Sequence, residues 1–181
     1  MQEYRTDFRN VGEIFEANDR VRARLVDLVK DISDDNAARL TEKGDWTVAH
    51  IVEHLALVEE GMAKVAGHLL KKADEAGEVS DGSASLSANL TGKLEEWKTI
   101  KGEAPDMVRP TGTKSIAESL AVLEENRRRL NGLREMFERV EGTELTFPHP
   151  LFGPLTAQDW LALVGGHESR HVAQIERILS K

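Results

Sequence analysis

The sequence contains no cysteine. That absence removes thiolate nucleophiles, iron–sulfur clusters, cysteine-rich zinc sites and disulfides together, so any sulfur chemistry must use a thiol brought from outside. A basic stripe is lacking too, since 24 Lys and Arg stand against 32 Asp and Glu, a net charge of -8. Nucleic-acid affinity comes mainly from neutralised phosphates, and anionic membrane surfaces attract similar cationic patches, so neither partner is expected. No apolar run approaches the length of a membrane span, and the start Met1-Gln2-Glu3-Tyr4-Arg5-Thr6-Asp7 lacks the basic and apolar regions of a signal peptide. The expected location is the cytoplasm. No internal repeat is visible, and strand signal is confined to short runs near Leu145-Thr146-Phe147.

What is present is helical periodicity. A chain of 181 residues predicts one domain over 1–181 with a core that needs neither disulfides nor a structural metal, so any metal would be functional. Apolar residues recur at Phe8, Val11, Ile14, Phe15, Val21, Leu25, Leu28, Val29 and Ile32, with Glu13, Arg22, Arg24 and Asp27 between them. A helical turn through Ala37, Ala38 and Leu40 and a turn at Glu42-Lys43-Gly44-Asp45 lead to a second repeat, from Val48 through Ile51, Leu55, Val58 and Met62 to Leu69, capped by Asp45 or Thr47. A third runs from Ile116 to Val140 behind the capping box Ser115/Glu118, and a fourth follows Thr156 and Asp159. The resulting expectation is all-α: helices over 5–32, 46–75, 114–141 and 156–179 in one antiparallel four-helix bundle. The Gly-, Ser- and Pro-rich stretch 77–112 crosses outside it and carries a short helix at Leu86, Leu90, Leu94 and Trp97. Such a connection is either a lid over a site or partner, or a surface excursion that patches the core.

The chemistry concentrates in the fourth helix. His167 and His171 are four residues apart and, at about 100° per residue, fall roughly 55° and 15° from the centre of its apolar stripe, so both face the core. Two imidazoles on one buried face call for a common partner, for which a metal ion is suited. In the second helix His54 lies roughly 80° from the stripe centre, at the edge of the buried face, whereas His50 and His68 lie roughly 120° away. His54, His167 and His171 are thus the three histidines that face inward, although His54 could equally be a boundary residue. Three nitrogen ligands suit zinc, nickel, copper or iron, and disfavour calcium and magnesium. Asn126 and Arg127 interrupt the third helix's apolar seam between Leu123 and Leu130. Arg127 either pairs with a carboxylate or, with Asn126, faces the cavity and orients an anionic or polar substrate group as part of the catalytic machinery. Glu168 is either a base beside the metal or a salt-bridged or solvated carboxylate.

Trp46-Thr47 with His54-Leu55, Pro110-Thr111-Gly112, His149-Pro150-Leu151-Phe152-Gly153-Pro154-Leu155-Thr156, Trp160-Leu161, His167-Glu168-Ser169-Arg170-His171, Gln174-Ile175 and Ile178-Leu179 occur in that order over nearly the whole chain. In this the sequence resembles the DinB-like superfamily (DinB/YfiT-like metalloenzymes). The resemblance implies a four-helix bundle, frequently a homodimer, with a three-histidine site for a divalent metal, zinc or nickel above all and iron as a further candidate. His54 matches the family's ligand on helix two, and His167 and His171 match its pair on the last helix. Characterised members include S-transferases and an isomerase that use bacillithiol, mycothiol or glutathione, so the resemblance implies a transferase acting on a small-molecule thiol and an electrophile. Metal-dependent hydrolysis and noncatalytic binding of a metal or small ligand are the alternatives.

Overall fold

The computed structural model describes residues 4–39, 41, 46–97 and 104–180. Each long helix starts where a polar side chain takes up a first-turn amide. Asn10 accepts from the Glu13 amide at the head of α1 (Val11–Val29), and Ser33 caps the single turn α2 (Asp34–Ala37). Thr47 caps α3 (Val48–Glu75) in a reciprocal capping box with His50. Asp45 and the turn expected at 42–45 lie outside the described residues, as does Leu40. The connection after α3 holds α4 (Ala88–Trp97) and a 3-10 turn at Asp106–Val108. Ser115 and Glu118 then open α5 (Ile116–Gly132) as the sequence predicts, and α6 (Arg134–Arg139) continues it. A two-stranded antiparallel hairpin, β1 (Phe147–His149) and β2 (Gly153–Leu155), pairs Phe147 with Leu155 and leads into α7 (Ala157–Leu179), boxed by Thr156 and Asp159.

Two expected helices are shortened. The first begins at Val11 rather than near residue 5, because Asn10 caps it while Arg5 and Arg9 bond the Glu13 carboxylate from the non-helical lead. The third breaks at Leu133, just after Asn131-Gly132, where glycine costs the helix about 1 kcal/mol relative to alanine.

Helix α7 packs against both α1 and α3, and α3 packs against α5, which makes the four-helix bundle. Its core is divided. One apolar cluster gathers Phe15, Met62, Leu70, Leu130, Phe137 and Leu161 with Leu90 and Leu94 of α4; the other gathers Leu25, Ile51, Leu55, Leu123, Ile175 and Ile178. Between them, on all four long helices, lies a buried polar layer: Asn18 and Arg22 on α1, Glu59 on α3, Asn126 and Arg127 on α5, Glu168 on α7. The long connection does more than cross outside the bundle. Leu90 and Leu94 are buried, each contributing on the order of 2 kcal/mol. The Ser85 and Ser87 amides bond the Gln158 and Asp159 side chains at 2.7 and 2.8 Å.

Close approach of α1 and α7 depends on Gly165. A Cβ there would collide with the Asn18 side chain, which bonds the Leu161 carbonyl at 2.9 Å and accepts from the Tyr4 hydroxyl at 2.6 Å. Gly165→Ala is therefore expected to lower stability by about 1–3 kcal/mol, the range for overpacking a close contact. Urea denaturation measures it, and a neutral result would show that the two helices can part freely.

Candidate metal centre

Helix α3 presents His54 from beside the polar layer, and α7 presents His167 and His171 one turn apart on the face it turns to α3. The three side chains are 5%, 8% and 9% exposed. One ring nitrogen from each lies within 4.8 Å of the others, the one such cluster of His, Asp or Glu among the described residues. His54 Nε2 and His167 Nε2 stand 3.3 Å apart.

The hydrogen bonds around the cluster determine which nitrogens are free. The Val108 carbonyl lies 2.8 Å from His54 Nδ1 and can only accept, so His54 carries its proton on Nδ1 and presents a bare Nε2. Gln174 Oε1 fixes His171 in the same way at 2.9 Å. Trp97 stacks on His167 with ring centroids 5.6 Å apart and 18° between the planes, and Trp46 lies 4.8 Å from the His54 ring. Arg170 sits over Trp97 and donates to its carbonyl.

Burial holds all three imidazoles neutral. It pushes His171 down to about 3, with His54 adding to the effect, and pushes His167 well below its usual range, with His171 and His54 adding. His54 is lowered by burial against the opposing bond to Val108. The residues fit a divalent cation: three neutral nitrogen donors converge, two of them with their other nitrogen held by an acceptor. The 3.3 Å between His54 Nε2 and His167 Nε2 is short enough for one ion to hold both.

The same shifts give the metal-free protein a defined pH response. Unfolded histidine titrates near 6.5 and folded His171 near 3, so between these values the unfolded chain binds more protons and stability falls as pH falls. For His171 the loss between pH 7.5 and pH 5 is expected to be about 2 kcal/mol. Urea titrations at the two pH values measure it, and His171→Gln should flatten the slope.

The other sequence candidates sit elsewhere. Arg127 pairs with carboxylates, one of the two readings open for it, and Asn126 donates to the Ala56 carbonyl at 3.0 Å. Arg127 contacts Glu168 at 3.4 Å and Asp19 at 3.2 Å. Glu168, 1% exposed, also takes Arg22 Nε at 2.6 Å, so it is a buried ion-paired group rather than a solvated one. Arg22 bonds Glu59 as well, and burial pushes the Glu59 carboxyl up. His50 belongs to the α3 cap, His68 is exposed, and His149 Nδ1 accepts from the Leu151 amide at 3.1 Å inside the hairpin.

Sequence reasoning assigned Arg22 and Glu13 to the polar side of α1, yet both are buried, and it passed over Glu53 and Glu59. Glu59 carried a usable signal, since it lies on the apolar line that joins Leu55 to Met62 at steps of four and three. Gln174 carried one as well, three residues from His171 on one helix and inside the Gln174-Ile175 motif, whereas Val108 carried none, because a backbone carbonyl is recognised only by what it touches.

The sequence model of the DinB superfamily matches residues 17–175. The Bacillus subtilis (strain 168) protein YuaE is 25% identical over 159 residues, 84% of this chain and 89% of that protein. Among solved structures, TT2238, a four-helix bundle protein, superposes with a TM-score of 0.62 at 23% identity, covering 92% of this chain and 98% of that one. YfiT from Bacillus subtilis, described as "a probable metal-dependent hydrolase with an unusual four-helix bundle topology", gives 0.61 at 21% identity, covering 99% and 94%.

Proposed function

Because the chain belongs to the DinB superfamily, we propose that it is a metal-dependent enzyme in which His54, His167 and His171 hold one divalent cation and an external low-molecular-weight thiol is transferred to a small electrophile. The convergence of three buried neutral imidazoles with no carboxylate among them carries this reading. A cation bound there supplies Lewis acidity, which lowers the pKa of a coordinating thiol towards neutrality. The chain's own residues do the rest. Val108 and Gln174 keep two of the donors in the tautomer that ligates, and burial keeps the donors unprotonated near neutral pH. Trp46 and Trp97, packed on His54 and His167, limit water around the cluster. The chain has no cysteine, so in this reading the nucleophilic sulfur comes from outside, and the family resemblance implies a thiol of the bacillithiol, mycothiol or glutathione type.

Hydrolysis is the second reading, favoured by the description of YfiT. It calls for a base near the cluster, and Glu168, the carboxylate next to His167, is taken up by Arg22 and Arg127. Zinc- or nickel-loaded protein assayed with thiols of these three types against activated aryl halides and epoxides, alongside ester and amide substrates, separates the two. Thiol-dependent conjugation that chelator and His54→Ala both abolish is the expected result, and ester or amide cleavage without thiol would replace it with the hydrolytic reading. A homodimer and a cytoplasmic location belong to the same reading. The groove between α1 and α7, where Val21, Leu28, Val172 and Leu179 lie among Arg20, Arg24 and Glu176, is a face a second copy could cover, which light scattering tests. Among the described residues no helix is long and apolar enough to cross a membrane.

A further inference from the structure

The segment 105–113 supplies His54 with its hydrogen-bond acceptor, yet it has almost no core of its own. None of the three residues of the turn Asp106–Val108 is buried, and Met107 is 85% exposed. Thr111, Gly112 and Thr113 are exposed as well. Hydrogen bonding holds it instead. Glu53, buried on α3 and adjacent to His54, accepts from the Thr111 amide at 3.0 Å and the Thr111 hydroxyl at 2.7 Å with Oε1, and from the Gly112 amide at 2.9 Å with Oε2. A buried carboxylate is costly unless such donors surround it. Gly112 has φ +74, and the His50 ring fills the space a Cβ would need, so the segment seats directly on the first turns of α3. Pro105 and Pro110 bracket the stretch that carries Val108 and restrict its backbone.

We infer that Glu53 is a positioning residue for the metal centre: by pinning Thr111 and Gly112 it holds the Val108 carbonyl against His54 Nδ1 and so keeps His54 Nε2 bare and turned toward His167. This rests on the three-histidine reading above. His50, Glu53 and His54 share one side of α3 at steps of three and one, which is why one helix can supply the ligand and also hold the loop that orients it. His171 has no such dependence, since its acceptor Gln174 lies on its own helix.

The test uses the full chain in two measurements. In metal-free protein labelled with 15N-histidine, long-range nitrogen–proton spectra read the tautomer of each ring. Wild type is expected to show His54 wholly as the Nδ1–H form, whereas Glu53→Ala and Thr111→Val shift it toward a mixture and leave His171 unchanged. Competition with a chelator then reads zinc affinity, expected to fall about 10- to 100-fold in Glu53→Ala, the range for lost support of a ligating histidine, and less in Thr111→Val. Glu53→Gln, which keeps one oxygen for Thr111, falls between. If Glu53→Ala does not fold, Glu53→Gln and Thr111→Val carry the comparison. Folded variants with the wild-type His54 tautomer and wild-type zinc affinity overturn the inference. Wild type that binds no zinc while its His54 tautomer still follows Glu53 overturns the metal reading and supports the link between Glu53 and His54.

Discussion

His171→Ala is expected to eliminate stoichiometric divalent metal from the protein while leaving a folded helical chain. The ring lies within the three-nitrogen cluster and is held by Gln174 with its Nε2 free, so its loss leaves two donors, too few for tight zinc or nickel binding. The fold survives because the apolar clusters on either side, from Phe15 and Leu161 to Leu25 and Ile175, do not depend on the ring. Metal analysis of protein purified without an affinity tag, paired with circular dichroism, measures both halves. One equivalent of tightly bound metal in the His54→Ala, His171→Ala double variant would show that the ligands lie elsewhere, with His50 and His149 next to be replaced.

The largest loss of stability should come from the polar layer. Arg22 bonds Glu168 at 2.6 Å, Glu59, and the Leu123 carbonyl at 3.0 Å, tying α1 to α7, α3 and α5 at once. With Arg127 it faces the carboxyl groups of Glu59 and Glu168, all four side chains almost wholly buried. Arg22→Met leaves Glu59 and Glu168 to share Arg127, and removing one partner of a buried ion cluster costs about 3–5 kcal/mol. For a chain of this size that is a fall in melting temperature on the order of 10 °C. Thermal denaturation at pH 7 reads it, and a shift of only a degree or two would mean that water reaches the carboxylates and screens them. Joint replacement of Arg22, Glu59, Glu168 and Arg127 by apolar residues of similar volume should recover much of the loss, because the cost comes from the unpaired charge rather than from any net strength of the pairs.

By itself, the sequence determined what is local. The caps at Thr47, Ser115 and Thr156 lie within three residues of their partners, so the starts of α3, α5 and α7 were legible. Helical periodicity placed His167 and His171 on one face and His54 at the edge of another, because the face of a residue follows from its own helix. It also registered a break in the seam at Asn126 and Arg127. Tertiary structure decided the partners. Arg22 meets Glu168 across 146 positions and Glu59 across 37, and the Val108 carbonyl reaches His54 across 54. Such pairings depend on the rotation and register of one helix against the next. Those are set by how whole apolar faces pack, so a periodicity read one helix at a time marked Arg127 as interrupting a seam without showing which charge answers it, and left the burial of Arg22 unseen.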